Sequence, residues 1–553
     1  MKRTIRRSTV QNFTVTLSCV LFLLWFQPSR LAADPEHAGI SLDPTGRPEE
    51  ILLAHTGVAH DTPTRMIKRV SGQPFNRTAP LSPALSHPLI NLPPARPVKD
   101  EPRASASHSG GYRAPSPRAQ GMAHLVGSHI SAVVRPFSTV FRLLSLVAYT
   151  GLDALRPTPD SKIPREPPPP VSDGPGMDLA AWEDELDEIT RSRSSLGSME
   201  LLIGGDEFFP RLERSVADAR SSVHLQIYIF DNDDYALDFG RLLKDRSREV
   251  DVKVLMDGLG TIMASGVDHE SLPESHTPPS SLSSYLRDGS RVKVRKLTNP
   301  WLTFDHTKSI VIDRRVAFVG GMNIGREYRH IWHDMMVQVE GPVVGTLQEE
   351  FTRTWDYAGI VGDLALLTSY GDRETPSTKT GLYPMRVLKT RIGHSQIYRA
   401  QIAAIRRAKR YIYIENPYLS DDVVLHELIM ARHRGVDVRV ILPRQCNWKT
   451  MSRSNVLAAN EMLANGIRVY MFPGMSHVKA AVIDGWACLG SANLDKASFR
   501  FNREVNLATS HPAFVDSLVA RLFKRDFDRS ILLEEARPER PSDRILEMVA
   551  DLM

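Results

Sequence analysis

The stretch FDHTKSIVID, residues 304–313, decides how this chain is read, because SHVKAAVID at residues 476–484 repeats its pattern. Each copy carries a histidine, a lysine two residues on, and an aspartate five residues after the lysine. These are His306, Lys308 and Asp313, then His477, Lys479 and Asp484. A small-residue turn and an asparagine follow both times, as Gly320, Gly321 and Asn323 and as Gly490, Ser491 and Asn493. One HxK pair arises easily by chance. Two at matching places in a larger repeat do not.

The repeat extends outward from these motifs. DARSSVHLQIYIF from Asp218 matches RRAKRYIYIENPY from Arg406, a helix end running into an alternating strand. EVDVKVLMD from Glu249 matches GVDVRVILP from Gly435, and YLRDGSRVKV from Tyr285 matches MLANGIRVYM from Met462. Strands separated by helices, in the same order twice, predict two similar α/β units at about 177–365 and 386–553, joined by a linker at 366–385. The expected architecture is a pseudo-twofold pair with the active site at the interface.

Side chains alternate along a strand, so His306 and Lys308 are expected on one face, as are His477 and Lys479. Packed edge to edge, the units would put two imidazoles and two ammonium groups in one cleft. That suits a phosphodiester: the lysines and Asn323 and Asn493 would hold its non-bridging oxygens, with Ser491 and Gly321 of the adjoining turns also at the phosphate. One imidazole attacks phosphorus; the other protonates the leaving alcohol and then activates the acceptor. This chemistry requires neither metal nor cofactor.

A carboxylate should orient each imidazole through its second nitrogen. Asp313 and Asp484 are candidates by their place in the motif. The odd offset of Asp313 from both His306 and Lys308 puts it on the opposite strand face, where it would fix the strand end and turn. Asp334 in WHDMMV and Glu504 in FNREVNL lie 28 and 27 residues after the histidines of their own copies. Asp484 and Gly490 are separated by one residue fewer than Asp313 and Gly320, which makes the two acids equivalent and predicts a tighter hairpin at Asp484-Gly485.

These motifs resemble the phospholipase D superfamily over most of residues 177–530. FVGGMNIGREY with WHDMMVQVEGP is similar to the first catalytic half of bacterial cardiolipin synthases. PYLSDDVVLHELIMARHRGVDVRVILP and GSANLDKASFRFNREVNL are similar to the second. The resemblance implies an enzyme that transfers or hydrolyses phosphatidyl groups through phosphohistidine. His306 would be the nucleophile and His477 the general acid/base, with acids at the Asp334 and Glu504 positions paired to histidine. Phosphatidylglycerol as acceptor would make it a cardiolipin synthase, and water a phospholipase D. The alternative is a metal-independent nuclease, against which stands the lack of a basic, aromatic-rich stripe for stacking bases. The expected partners are phospholipid and a membrane surface, with no nucleic acid; oligomeric state stays open.

The bulk numbers agree without deciding. A formal charge of +5 from 69 Lys and Arg against 64 Asp and Glu suits anionic partners in general. Cys19, Cys446 and Cys488 show no metal-ligand spacing and read as free thiols. MKRTIRR followed by the apolar FTVTLSCVLFLLWF and the small residues of SRLAA predicts a secretory signal or N-terminal anchor over 1–33, and hence an exported, periplasmic or membrane-associated protein. Residues 34–176 read as a Pro-rich linker interrupted by a helical pattern at 136–152. There Phe137, Val140, Phe141, Leu144 and Val147 oppose Ser138, Arg142 and Ser145, so the segment either lies on a membrane or packs on the main domain. Tyr418 reads either as a substrate contact or as a core aromatic; His269 and His276 read as loop residues.

Overall fold

The computed structural model describes residues 127–540, except 129–130, 156–162, 165, 265–271, 274–275, 299–302, 361 and 367–378, together with Asp543. The signal or anchor at 1–33, most of the Pro-rich linker, the core of the 366–385 linker and His269 lie outside the described residues.

The first unit contributes strands β1 (Ser195–Ile203), β2 (Ser222–Ile227), β3 (Asp251–Asp257), β4 (Lys293–Leu297), β5 (Ser309–Ile312), β6 (Val316–Gly320) and β7 (Met335–Glu340). The second contributes β8 (Tyr383–Arg391), β9 (His394–Ser395), β10 (Tyr411–Glu415), β11 (Asp437–Pro443), β12 (Arg468–Phe472), β13 (Ala480–Ile483), β14 (Trp486–Gly490), β15 (Glu504–Thr509) and β16 (Ile531–Leu532). They form one mixed sheet in the order β16-β12-β11-β10-β13-β14-β15-β8-β1-β7-β6-β5-β2-β3-β4, with β9 beside β8. The order is a near-palindrome about the antiparallel β1–β8 contact, where Ser195 faces Met385. In each unit three parallel strands, β2-β3-β4 and β10-β11-β12, flank an antiparallel set. The predicted pair of α/β units is what forms.

Why the motif strands sit mid-sheet follows from composition. β5 (SIVI) and β13 (AAVI) are buried at every position, as an unbroken aliphatic run requires of a strand covered on both faces. The hairpins beyond them differ as the spacing predicts. Ile483 pairs with Trp486 across a two-residue Asp484-Gly485 turn, both residues at positive φ, whereas Ile312 pairs with Val316 across a three-residue turn. The repeat register needs one adjustment. Val223 faces Ile312 as Ile412 faces Ile483, so Gln226 and Glu415 are counterparts, one residue off the alignment of the two sequences.

Two helices ahead of β1 depart from sequence order. Helix α1 (Pro136–Leu155) packs beside the first unit, against α3 (Val344–Tyr357). Helix α2 (Leu179–Thr190), capped by the Asp178 carboxylate, sends Trp182 and Leu186 into the second unit's core. There the Trp182 ring meets Trp486 edge-on at 5.5 Å. The first unit's core therefore starts later than residue 177, at β1. A third apolar cluster joins the units: Leu201, Val311 and Met335 pack with Val482, Leu507 and the C-terminal Phe514 and Phe523.

Candidate active site

The sequence expectation placed His306 and Lys308 within a strand. They lie instead in the extended run just before β5, which begins at Ser309; His477 and Lys479 likewise precede β13. Each lysine turns back, and its ammonium donates to the carbonyl of its histidine at 2.7 Å, Lys308 to His306 and Lys479 to His477. All four side chains are buried.

Backbone bonds between the units fix these runs. The His306 N–H donates to the Arg503 carbonyl at 3.0 Å, and the Arg503 N–H to that of Phe304 at 2.9 Å. In the mate, the His477 N–H donates to the His333 carbonyl at 2.7 Å and the His333 N–H to that of Met475 at 3.1 Å. The residue before each acid is thus held to the histidine run of the opposite unit.

The acids consequently pair crosswise. His306 Nδ1 lies 3.0 and 3.1 Å from the two carboxylate oxygens of Glu504, and His477 Nδ1 lies 2.7 Å from Asp334 Oδ2. Sequence spacing had attached Asp334 to His306 and Glu504 to His477; the structure exchanges them. With Nδ1 engaged by an acid, Nε2 is the nitrogen left for chemistry at each ring.

Four motif residues lie away from the imidazoles, the motif aspartates among them, as the offset of Asp313 implied. Asp313 stands at the far end of β5, where its carboxylate accepts the N–H groups of Arg220, Ser221 and Ser222 and the Ser221 hydroxyl. Against the opposing effect of burial, these donors hold its carboxyl below the usual range. Asp484 anchors the matching turn of the second unit, accepting the N–H groups of Met177, Lys409, Arg410 and Tyr411. Both are turn anchors, not members of the histidine site. Ser491 and Gly321, expected at the phosphate, lie behind the acids. The Ser491 hydroxyl donates to Glu504 Oε2 at 2.6 Å, while a Cβ on Gly321 would sit 2.2 Å from Asp334 Oδ1.

Both histidines line one cleft open to solvent, walled in part by Asn323, Asn493, Tyr228, Tyr328 and Tyr418. Asn323 is braced, its Oδ1 accepting from the Ile229 N–H and its amide donating to the Tyr328 hydroxyl. Asn493 Oδ1 is buried without a donor among the described residues. Of the two readings of Tyr418, the wall position is what the structure shows. Sequence reasoning missed Tyr228 and Tyr328, whose rings meet His306 at 4.8 Å and His477 at 5.7 Å. An aromatic just past the first parallel strand of each unit, Tyr228 after β2 and Tyr418 after β10, was the available signal. His276 is outside this wall, bonded through Nε2 to the Asn232 carbonyl.

Burial dominates the electrostatics. It pushes Asp334 and Glu504 up to about 7, against the pull of the two lysines. Burial, then the same lysines, holds His306 and His477 well below the ordinary imidazole value. Each histidine–acid pair therefore carries one shared proton on the acid side of neutrality. Burial also lowers Lys479 to about 8.

Among the described residues, His333, Glu415 and Asp526 bring three possible metal ligands within 4.8 Å of one another. Part of their bonding is already internal: His333 Nε2 meets Asp526 at 2.8 Å, and the Ser476 hydroxyl donates to one Glu415 oxygen. Burial and the neighbouring Asp526 raise the Glu415 carboxyl well above its usual range, which favours its neutral form. Cys446 and Cys488 are free thiols.

Comparison with known proteins gives the family. The family model described as "Cardiolipin synthase, PLD-like domain" matches residues 212–355 and 401–529, one segment in each unit. Cardiolipin synthase A of Pseudomonas fluorescens (strain SBW25) is 32% identical over 403 residues, covering 68% of this chain and 80% of that protein. Cardiolipin synthase A of Pseudomonas putida (strain GB-1) is 32% identical over 387 residues, covering 65% and 76%. The crystal structure of phosphatidylserine synthase from Haemophilus influenzae Rd KW20 superposes with a TM-score of 0.52 at 13% identity, over 68% of this chain and all of that one, a likeness of fold. Two matching segments, two crossed histidine–acid pairs and relatives aligned over most of their length make this chain a member of the phospholipase D superfamily, in the family of cardiolipin synthase domains.

Proposed function

We propose that the protein is a phosphatidyltransferase that works through a phosphohistidine, with phosphatidylglycerol as donor and acceptor. The observation that carries this reading is the pair of imidazoles in one cleft, each held at Nδ1 by the other unit's acid. With Glu504 ionised and accepting from Nδ1–H, His306 Nε2 carries a free lone pair and attacks phosphorus as the bond to the leaving glycerol breaks; His477 gives that oxygen its Nε2 proton while its Nδ1 takes up the proton held by Asp334. His477 Nε2, now unprotonated, takes the proton of the incoming alcohol, whose oxygen attacks phosphorus and frees His306, and the Nδ1 proton returns to Asp334. Lys308 and Lys479 supply positive charge beside the reacting centre, where burial makes it more effective than in water. Asn493 Oδ1 is suited to accept from an acceptor hydroxyl rather than to hold an anionic phosphate oxygen.

Product analysis with phosphatidylglycerol tests the reading. Cardiolipin and glycerol in equal amounts, absent with His306→Ala, are expected. Phosphatidic acid as the sole lipid product would identify a hydrolase. Cleavage of DNA with no lipid turnover would favour the nuclease reading.

A further inference from the structure

Helix α1 is mounted with its polar side toward the protein. Arg142, buried at mid-helix, donates to Thr303 Oγ1 at 2.9 Å and to the Tyr357 hydroxyl at 3.3 Å. Ser138 meets that hydroxyl at 2.8 Å, and Asp363 accepts the N–H groups of Phe137 and Ser138. The opposite side is apolar and open, with Phe137 79% exposed and Leu144 and Val147 each 61% exposed, beside Val140 and Phe141. Leu364, next to Asp363, is 64% exposed and Ile360 is 96% exposed, so the apolar surface continues past the helix. A helix packed by its polar stripe with its apolar stripe outward is inverted for water.

The surroundings indicate what covers it. The Phe141 ring packs over Gly393, at the turn between β8 and β9. Arg391 and Arg399 gather there around His394, with the largely buried Lys389–Glu350 ion pair at 3.3 Å beneath them. An apolar face bordered by clustered cations matches the acyl boundary and the anionic headgroups of a phospholipid surface. No helix among the described residues is long and apolar enough to cross a membrane, and Arg142 ties the middle of α1 to protein. The geometry is that of a helix lying in the plane of the surface.

The helix also bears on the catalytic run. Thr303, held by Arg142, precedes Phe304 of the cleft wall and is three residues from His306. The Arg503 guanidinium lies 4.8 Å from the centre of the Tyr357 ring, and the Arg503 carbonyl binds the His306 N–H. We propose that α1 docks on an anionic phospholipid bilayer through Phe137, Val140, Phe141, Leu144 and Val147, setting the His306 side of the cleft against the surface so that lipid reaches the histidines from the bilayer. The inference rests on the phospholipid reading above and names the surface from which that substrate comes.

The test uses the full chain and vesicles of phosphatidylcholine with phosphatidylglycerol. A photo-crosslinking amino acid in place of Leu144 is expected to give about tenfold more lipid adduct than one in place of the exposed Asp238. Phe137→Glu combined with Leu144→Glu should lower turnover on vesicles about tenfold while leaving turnover of dispersed short-chain phosphatidylglycerol unchanged. Equal adducts at both positions, crosslinked dimers in place of lipid adducts at Leu144, or unchanged vesicle turnover would overturn the docking. Absence of turnover on dispersed lipid by the unmodified protein would instead overturn the proposed reaction, leaving the adduct result to judge the docking separately.

Discussion

The half-site at His306 takes its acid from Glu504, which also receives the Ser491 hydroxyl, whereas the half-site at His477 takes the shorter Asp334 beside a bare Gly321. The two arise from equivalent positions of one repeat, yet behind the acid one has a supporting donor and the other has no room for a side chain. The acid and the residue behind it thus form a matched set. Each histidine also depends on the opposite unit, through the acid and through the backbone bridges at Arg503 and His333. Neither unit alone holds a complete histidine–acid pair.

The largest expected effect comes from making the half-sites alike. Gly321→Ser would drive a Cβ into Asp334 and displace it from His477, lowering kcat roughly 10²–10⁴-fold in a phosphatidylglycerol turnover assay. The reverse exchange, Ser491→Gly, removes one donor from Glu504 and should cost about tenfold or less. Equal losses would mean that the residues behind the acids are not matched to them.

A second contrast is read by pH. Between the usual carboxylate and imidazole values, the folded His306–Glu504 pair holds its proton on the acid, raised to about 7, while the unfolded chain holds one on the imidazole. The proton counts match, so the pair adds little pH dependence to stability in that window. Glu504→Gln removes the compensation. The unfolded chain then binds the extra proton below pH 6.5, and stability should fall as pH drops, by up to about 1.4 kcal/mol per pH unit. Urea unfolding at several pH values checks it. An unchanged slope would show that His306 is not held neutral by burial.

The smallest effect on turnover is expected at the motif aspartates. Asp313→Ala leaves its amide donors without their acceptor and should cost about 1–3 kcal/mol in urea unfolding, with kcat unchanged. A kcat loss exceeding the stability loss would return Asp313 to the catalytic group.

Much of this was legible in the sequence, for local reasons. Two HxK motifs with matching flanks located both histidines and both lysines, and the missing residue after Asp484 predicted the tighter hairpin. The crossed pairing was not legible. Spacing relates Asp334 to His306 and Glu504 to His477, whereas the true partners are set by how the units dock, through Asp305–Arg503 and His333–Ser476 bridges with no sequence period. Nor does alternation distinguish a strand from the extended run before it, so Lys308 was placed inside β5. Helical periodicity at 136–152 gave two faces of α1 but could not say which meets protein; Tyr357 and Thr303, far along the chain, decide that.

The most direct test of a covalent histidine in a shared cleft uses a phosphatidyl ester of p-nitrophenol, a leaving group that needs no proton. With His477→Ala, one equivalent of nitrophenol per protein should be released in a burst, and mass spectrometry of the quenched protein should find the phosphatidyl group on His306. No burst, or an adduct on any residue other than His306, would contradict the account.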